Sequence, residues 1–383
     1  MMRYIVYSLM VLTGCAQLDL SSTVTPITIA STNEAERNDQ LQAILDSGVA
    51  QGLPGISLAV RQGSYYWEGT SGYAKIEDKT AMHSQHLQYS QSVAKTYTAV
   101  LILMLYEEGK LNLDTPIDHY LPKKISKRIT GSERITVRQL LNHTSGIHDY
   151  IDAHYTADFF NNPYKHYSPE EFLSFTYGQK LEFQPGSKYT YSNTNYLLLA
   201  LMVDHVSGKD HAVLMRERIF QPLGLSNSYY HDFDSCRDRL VNTYFDRFGN
   251  GVIENVSEAQ LISVSSLLGD DGMAATPGDY VKFLDGLNDG KLLRETTMNE
   301  MRQWAEGAYG PAYGLGLAAW RKDKNVIGYG HSGGGYGAGC VLYHFPKKDI
   351  TVFMGVNVCT LVSSPAATAA GKIRDRILNV LLN

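Results

Sequence analysis

Ser92-Val93-Ala94-Lys95 heads an almost entirely apolar segment, Thr96-Tyr97-Thr98-Ala99-Val100-Leu101-Ile102-Leu103-Met104-Leu105, which runs out at Glu107-Glu108-Gly109. A stretch of that length, apolar on every side, reads as a helix buried in a core, with Gly109 placed to cap its C-terminal end. Ser92 and Lys95 stand three residues apart, so both side chains fall on one face of the first turn. Unpaired backbone N–H groups and the helix dipole favour negative charge developing there. A buried lysine, its proton affinity lowered by burial, can help remove the proton from a serine hydroxyl. Taken alone, Ser-x-x-Lys is also what a serine-capped helix with a chance lysine looks like.

Two further elements lie downstream. Tyr191-Ser192-Asn193 follows Gln184-Pro185-Gly186-Ser187 and precedes a helical stretch over residues 196–206. A tyrosine phenol becomes a useful base only beside a cation that favours phenolate, which Lys95 can supply. Asn193 can donate to a substrate carbonyl and hold the lysine. His331-Ser332-Gly333-Gly334 lies just before a strand starting at Gly339. Glycines on a strand edge let a substrate backbone approach closely and lie alongside.

The rest of the chain supplies the frame. Residues 33–50 have helical periodicity. Ile56, Leu58 and Val60 alternate with smaller residues as a strand does, Arg61-Gln62-Gly63-Ser64 turns, and residues 65–69 return as its partner. Residues 339–345 and 350–357 flank Pro346-Lys347-Lys348-Asp349 as a second hairpin, and residues 366–382 are again helical in period. Strands at both ends of the chain and helices between them predict an antiparallel sheet closed by both termini. Helices pack on it, and a mainly helical subdomain is inserted over roughly residues 96–265. The 383 residues suit two intimately packed subdomains rather than one core.

The three motifs, in this order, resemble those of serine β-lactamases and D-alanyl-D-alanine peptidases, in the class C branch that uses Tyr-x-Asn as its second motif. The resemblance extends from about Asp39 to the C-terminus. Outside the motifs it is carried by Glu108-Gly109-Lys110-Leu111, Tyr120-Leu121-Pro122, Leu140-Leu141-Asn142-His143-Thr144-Ser145-Gly146, Pro222-Leu223-Gly224-Leu225 and Tyr313-Gly314-Leu315-Gly316. It implies an α/β fold of the β-lactamase/transpeptidase type. By that resemblance Ser92 is the acylated nucleophile, Lys95 its partner and Tyr191 the proton shuttle. Asn193, His331 and Gly333 would contact substrate, and the backbone N–H groups of Ser92 and Gly334 would form an oxyanion hole. No cofactor or metal is implied. His331 replaces the lysine usual in β-lactamases of the class, a departure that speaks against efficient β-lactam hydrolysis. Expected substrates are D-Ala-D-Ala-type or D-amino-acid peptides, with esters and β-lactams as alternatives. A non-catalytic penicillin-binding sensor or scaffold is the alternative from another class.

The N-terminus carries its own signal. Arg3 precedes a short apolar run, far below the roughly 20 residues that span a bilayer, and Leu12-Thr13-Gly14-Cys15 resembles a bacterial lipobox. Residues 1–15 are therefore expected to be a lipoprotein signal with lipid attached at Cys15, and residues 16–32 a tether rich in Ser, Thr and Pro. Residues 33–383 are the hydrolase domain. The expected location is the periplasmic face of a cell-envelope membrane, the outer one favoured because Ala16 rather than Asp follows the cysteine. Of the other cysteines, Cys236, Cys340 and Cys359, buried thiols are expected, although Cys340 and Cys359 could pair. A net charge of −5 speaks against a nucleic-acid partner, and a monomer is expected.

Three competing patterns remain. Gly330-His331-Ser332-Gly333-Gly334 matches G-x-S-x-G, the elbow of α/β-hydrolases, but glycines and a strand follow it where that fold needs a helix. His143, His148 and Asp149 could be metal ligands, yet fit no zinc spacing. Asp270-Asp271-Gly272 could bind a cation, but reads better as a turn.

Overall fold

The computed structural model describes residues 34–308 and 310–383; Cys15 and the expected tether lie outside them. Nine antiparallel strands form the main sheet, in the order Thr80–Ala81, Tyr65–Lys75, Gly55–Gln62, Ile350–Val356, Gly339–Phe345, Asn325–Gly334, Ala318–Lys322, Gly310–Tyr313 and Ala305–Gly307. Strands from the early and the late parts of the described chain lie side by side in it, Val60 standing opposite Val352 on one side and Trp67 on the other. Alternation fixes this register. Ile56, Leu58 and Val60 pack with Leu41, Leu45, Ile373 and Ile377 of the helices Glu34–Ala50 and Pro365–Leu382. The smaller Ala59 points to the opposite face, where the helix Pro277–Asn288 lies and Tyr280 stacks on Phe353 at 4.3 Å. A one-residue slip would turn the whole apolar set outward.

The apolar segment forms the helix Ala94–Glu107, and its residues from Ala94 to Leu105 are all buried. It begins two residues later than Ser92, after a 3-10 turn over Gln91–Val93. Gly109 ends it with φ +70°, as the sequence expects. The helix Asn193–Ser207 packs beside it. The inserted region is mostly helical, and among the described residues two small sheets lie within it or at its borders. One joins Gln88–Tyr89, Met273–Ala275 and Ser228–Tyr230; the other joins Tyr244–Phe245 and Glu254–Asn255.

The 26 tyrosines find a use here. Tyr150, Tyr196, Tyr280 and Tyr313 are fully buried and carry their hydroxyls to Asp270, the Leu141 carbonyl, the Gln88 carbonyl and His331, at 2.5, 2.8, 2.9 and 2.7 Å. Each fills core volume while satisfying a polar group that an apolar side chain would leave unpaired. Cys236, Cys340 and Cys359 are free and buried, so Cys340 and Cys359 are not bridged. Among the described residues no helix is long and apolar enough to cross a membrane.

Candidate active site

Lys95 is fully buried, and its Nζ lies 3.1 Å from Ser92 Oγ, 2.8 Å from Asn193 Oδ1 and 2.9 Å from the Asp270 carbonyl. Three segments thus converge on one ammonium. The first helical turn brings Ser92, the start of the helix Asn193–Ser207 brings Asn193, and the loop Gly269-Asp270-Asp271-Gly272 brings a carbonyl. That loop needs its glycines. Gly269 has φ +81°, and a Cβ there would lie 2.5 Å from the Tyr196 carbonyl. Thr98 Oγ1, on the buried helix, pins the loop through the Gly269 carbonyl at 2.7 Å.

The second motif stands against the same lysine. Lys95 Nζ is 5.2 Å from the centre of the Tyr191 ring, and that ring packs on His143 at 4.2 Å. Asn193 sends its Nδ2 to Asp149 Oδ2 at 3.0 Å while its Oδ1 accepts from Lys95.

Burial sets the electrostatics. Asp149, Asp270 and Asp271 are buried, and desolvation raises all three carboxyls, Asp149 and Asp271 to about 7, with Lys95 opposing the rise. The Asp270 charge adds to the rise at Asp271. His143 is pushed well below its ordinary value and His331 to about 3, by burial first and by the nearby Lys95 second. Both imidazoles are neutral, and the cation of the site is Lys95.

The third motif closes the corner. The strand Asn325–Gly334 pairs with Ala318–Lys322 only as far as Gly330 opposite Ala318, which leaves one edge of residues 331–334 open. On the other edge Gly334 faces Gly339, and the Gly335 N–H donates to the Ala338 carbonyl at 2.9 Å. Antiparallel alternation then turns the Gly334 N–H away from that partner and toward the open edge. Gly333 sits hard against the nucleophile turn. A Cβ on it would meet Gln91 Cβ at 2.6 Å, the Ser90 carbonyl at 2.7 Å and the Ser92 nitrogen at 3.0 Å. The backbone N–H groups of Ser92 and Gly334 are thus held on neighbouring segments, an arrangement suited to an anionic oxygen.

His331 departs from the expectation of a substrate contact. It is fully buried; its Nδ1 donates to the Ser332 carbonyl at 2.6 Å, and its Nε2 accepts from the Tyr313 hydroxyl at 2.7 Å. With both nitrogens engaged and one tautomer fixed, it reaches the cleft only through its neighbours. The sequence could not reveal this, because inward and outward positions on a glycine-rich strand look alike. Ser332 lies inside the strand, paired with Val341, and not on a strand-to-helix elbow. His148 lies 3.2 Å from Asp152 and 3.8 Å from Glu182, while His143 turns inward among tyrosines, so His143, His148 and Asp149 do not converge. Sequence reasoning missed Asp149, the Asp270 carbonyl and Tyr313 as parts of the site. Asp270 and Asp271 flanked by glycines were a visible signal; nothing marked Tyr313 apart from its place in Tyr313-Gly314-Leu315-Gly316.

The fold and the paired Ser92 and Lys95 define a class, hydrolases of the serine β-lactamase fold. The family model described as Beta-lactamase matches residues 41–371, and the chain belongs to that family. It is 26% identical over 322 residues to penicillin-binding protein 4 of Amycolatopsis lactamdurans, a match that covers 80% of this chain and 81% of that protein. It is 27% identical over 272 residues to penicillin-binding protein 4* of Bacillus subtilis (strain 168), covering 70% of this chain but only 55% of that longer protein. Among solved structures, the D-amino acid amidase from Ochrobactrum anthropi SV3 complexed with L-phenylalanine superimposes with a TM-score of 0.76 at 26% identity. That match covers 89% of this chain and 98% of the amidase.

Proposed function

We propose that this chain hydrolyses amide bonds of D-amino-acid amides or D-configured cell-wall peptides through an acyl-enzyme at Ser92. The observation that carries the reading is the 3.1 Å contact between Ser92 Oγ and a buried Lys95 that Asn193 and the Asp270 carbonyl hold in place. Tyr191, as a phenolate favoured by the neighbouring Lys95 ammonium, accepts the Ser92 proton as Oγ attacks the carbonyl carbon, and the oxyanion rests on the Ser92 and Gly334 N–H groups. The C–N bond breaks, the amine leaves with that proton, and an ester to Ser92 remains. Water attacks the ester, the acid is released and Ser92 regains its proton. Similarity to a D-amino acid amidase over nearly its whole length supports the substrate class. The neutral, buried His331 supports an uncharged amide, because this strand offers no cation at position 331 to a substrate carboxylate. A carboxylesterase is the second reading, favoured by the same missing cation.

The test uses the full chain with a D-phenylalanine anilide, its L-enantiomer, a chromogenic ester and a fluorescent penicillin. Hydrolysis of the D-anilide, lost in Ser92→Ala and kept in Ser332→Ala, is expected. Acylation that survives Ser92→Ala and is lost in Ser332→Ala would overturn the assignment, and ester turnover without anilide turnover would move it to the second reading. We also propose a lipid anchor at Cys15; labelled palmitate incorporated equally by Cys15→Ala would remove it.

A further inference from the structure

Residues 143–150, first considered for their two histidines and one aspartate, run beside residues 190–195 and bond to them one after another. The His143 carbonyl accepts from the Thr190 N–H at 3.0 Å, and His143 Nδ1 accepts from the Ser192 N–H at 3.2 Å. The backbone N–H groups of the residues on either side of Tyr191 are thus tied to one histidine, whose ring also packs on the phenol ring. His143 takes a left-handed backbone, φ +59°, to present both carbonyl and ring, a strained conformation for a residue other than glycine. Ser145 Oγ donates to Asn195 Oδ1 at 2.8 Å, and the His148 carbonyl accepts from Thr194 Oγ1 at 2.8 Å. The Tyr150 N–H donates back to Thr194 Oγ1 at 2.8 Å.

Asp149 makes the contact closest to the chemistry. Its Oδ1 accepts from the Asn193 N–H at 3.1 Å and from the Ile151 N–H at 3.1 Å, and its Oδ2 accepts from Asn193 Nδ2 at 3.0 Å. The two ends of the Asn193 side chain are nearly alike in shape and opposite in chemistry. The oxygen faces an ammonium and the NH2 faces a carboxylate. Turned over, the NH2 would face the Lys95 ammonium and the oxygen would face a carboxylate. Lys95 supplies a reason for one orientation, and Asp149 supplies the second, from the opposite side.

We infer that Asp149 is a positioning residue that locks the Asn193 amide with its oxygen on Lys95, and that residues 143–150 are the template that aligns Tyr191 and Asn193. The inference rests on Ser92 and Lys95 being the acylating pair. Asp149 bonds to Asn193 and to the Ile151 N–H, and acts on Lys95 through Asn193.

The experiment is a reciprocal swap in the full chain, read by the second-order rate of Ser92 acylation and by the melting temperature. Asp149→Asn sets two NH2 groups against each other or turns Asn193 over, and should slow acylation at least tenfold. Asn193→Asp sets two carboxylates about 3 Å apart and should slow it as much or more. The double variant Asp149→Asn/Asn193→Asp restores a donor at 149 and an acceptor toward Lys95. Its rate should exceed the product of the two single effects at least tenfold. A single variant too unstable to assay is read by its melting temperature, of which the swap should recover at least half the loss. Acylation by Asp149→Asn within twofold of wild type, or a double variant with purely multiplicative effects in both rate and melting, would overturn the positioning role alone. A wild type without Ser92-dependent acylation would overturn the proposed reaction and this role together.

Discussion

Adding a single methyl group at Gly333 would test how tightly the oxyanion strand is fitted to the nucleophile turn. The Cβ of Gly333→Ala would lie 2.7 Å from the Ser90 carbonyl and 3.0 Å from the Ser92 nitrogen, where ordinary contacts begin at 3.4 Å. Both neighbours are backbone, so no side chain can swing aside. Gln91 Cβ, fixed to that same turn, is nearer still at 2.6 Å, so the strand or the turn must give way by about 0.4–0.8 Å, the difference between these contacts and 3.4 Å. A displacement of about 1 Å at a reacting centre can cost roughly 10²-fold, and loss of one oxyanion donor costs about 10²–10³. Acylation of Gly333→Ala should therefore fall by about 10²-fold. Overpacking of this kind destabilises by about 1–3 kcal/mol, so the melting temperature should drop by several degrees. Gly371→Ala is the matched control, because that glycine lies within the helix Pro365–Leu382 with nothing within 4 Å of a new Cβ. It should acylate normally and melt slightly higher, by about 0.5–1 kcal/mol of helix preference. Labelling rates with fluorescent penicillin and thermal melts by circular dichroism decide the matter. Acylation by Gly333→Ala within threefold of wild type, with an unchanged melt, would refute the reasoning.

Two predictions concern pH. His331 is held down to about 3 by burial and then by Lys95, so between that value and its ordinary 6.5 the unfolded chain takes a proton that the folded one refuses. Its contribution to stability is full above about 6.5 and is lost as pH falls. The melting gap between wild type and His331→Gln at pH 7.5 should therefore narrow by pH 5; a constant gap would count against a buried neutral imidazole. Asp271 runs the other way. Burial and then the Asp270 charge raise it to about 7, so stability is lost as pH rises from about 4 to 7. Relative to wild type, Asp271→Asn should melt progressively higher across that interval and level off above it, and a flat difference would reject the assignment.

The parts of the fold that were legible in the sequence are those whose burial has a period. The helix Glu34–Ala50, the strand Gly55–Gln62, the hairpin Gly339–Phe345 with Ile350–Val356, and the helix Pro365–Leu382 fall within a residue or two of their expected bounds. Of the strand Asn325–Gly334 only the glycine-rich end was read as a strand edge, because Gly328, Gly330, Gly333 and Gly334 depress strand propensity. They are there for close approach instead: a Cβ on Gly328 would meet Phe345 at 2.6 Å, and one on Gly330 the Leu342 carbonyl at 2.0 Å. The return strand Tyr65–Lys75 overran its expected end at Gly69, where glycine and polar residues break the alternation. The small sheets in the helical region use strands of two or three residues, too short for any period. At the site, Ser92, Lys95 and Asn193 were readable because helical spacing and local motif carry them. Asp149 reaches Asn193 across 44 residues of chain, a relation no local pattern encodes.

The pairing of Val60 with Val352 has a consequence for how the protein is made. A strand made earlier must wait, with one edge bare, for a partner that lies 292 residues further along the chain (352 less 60). Contacts of such range slow folding and leave strand edges open to wrong partners. The nucleophile waits as well, since Gly333 and Gly334 come from the same late-made part of the chain. An incomplete chain would thus own the serine and the lysine yet lack the corner that stabilises the attacked carbonyl, and reactivity would arrive only with completion of the sheet.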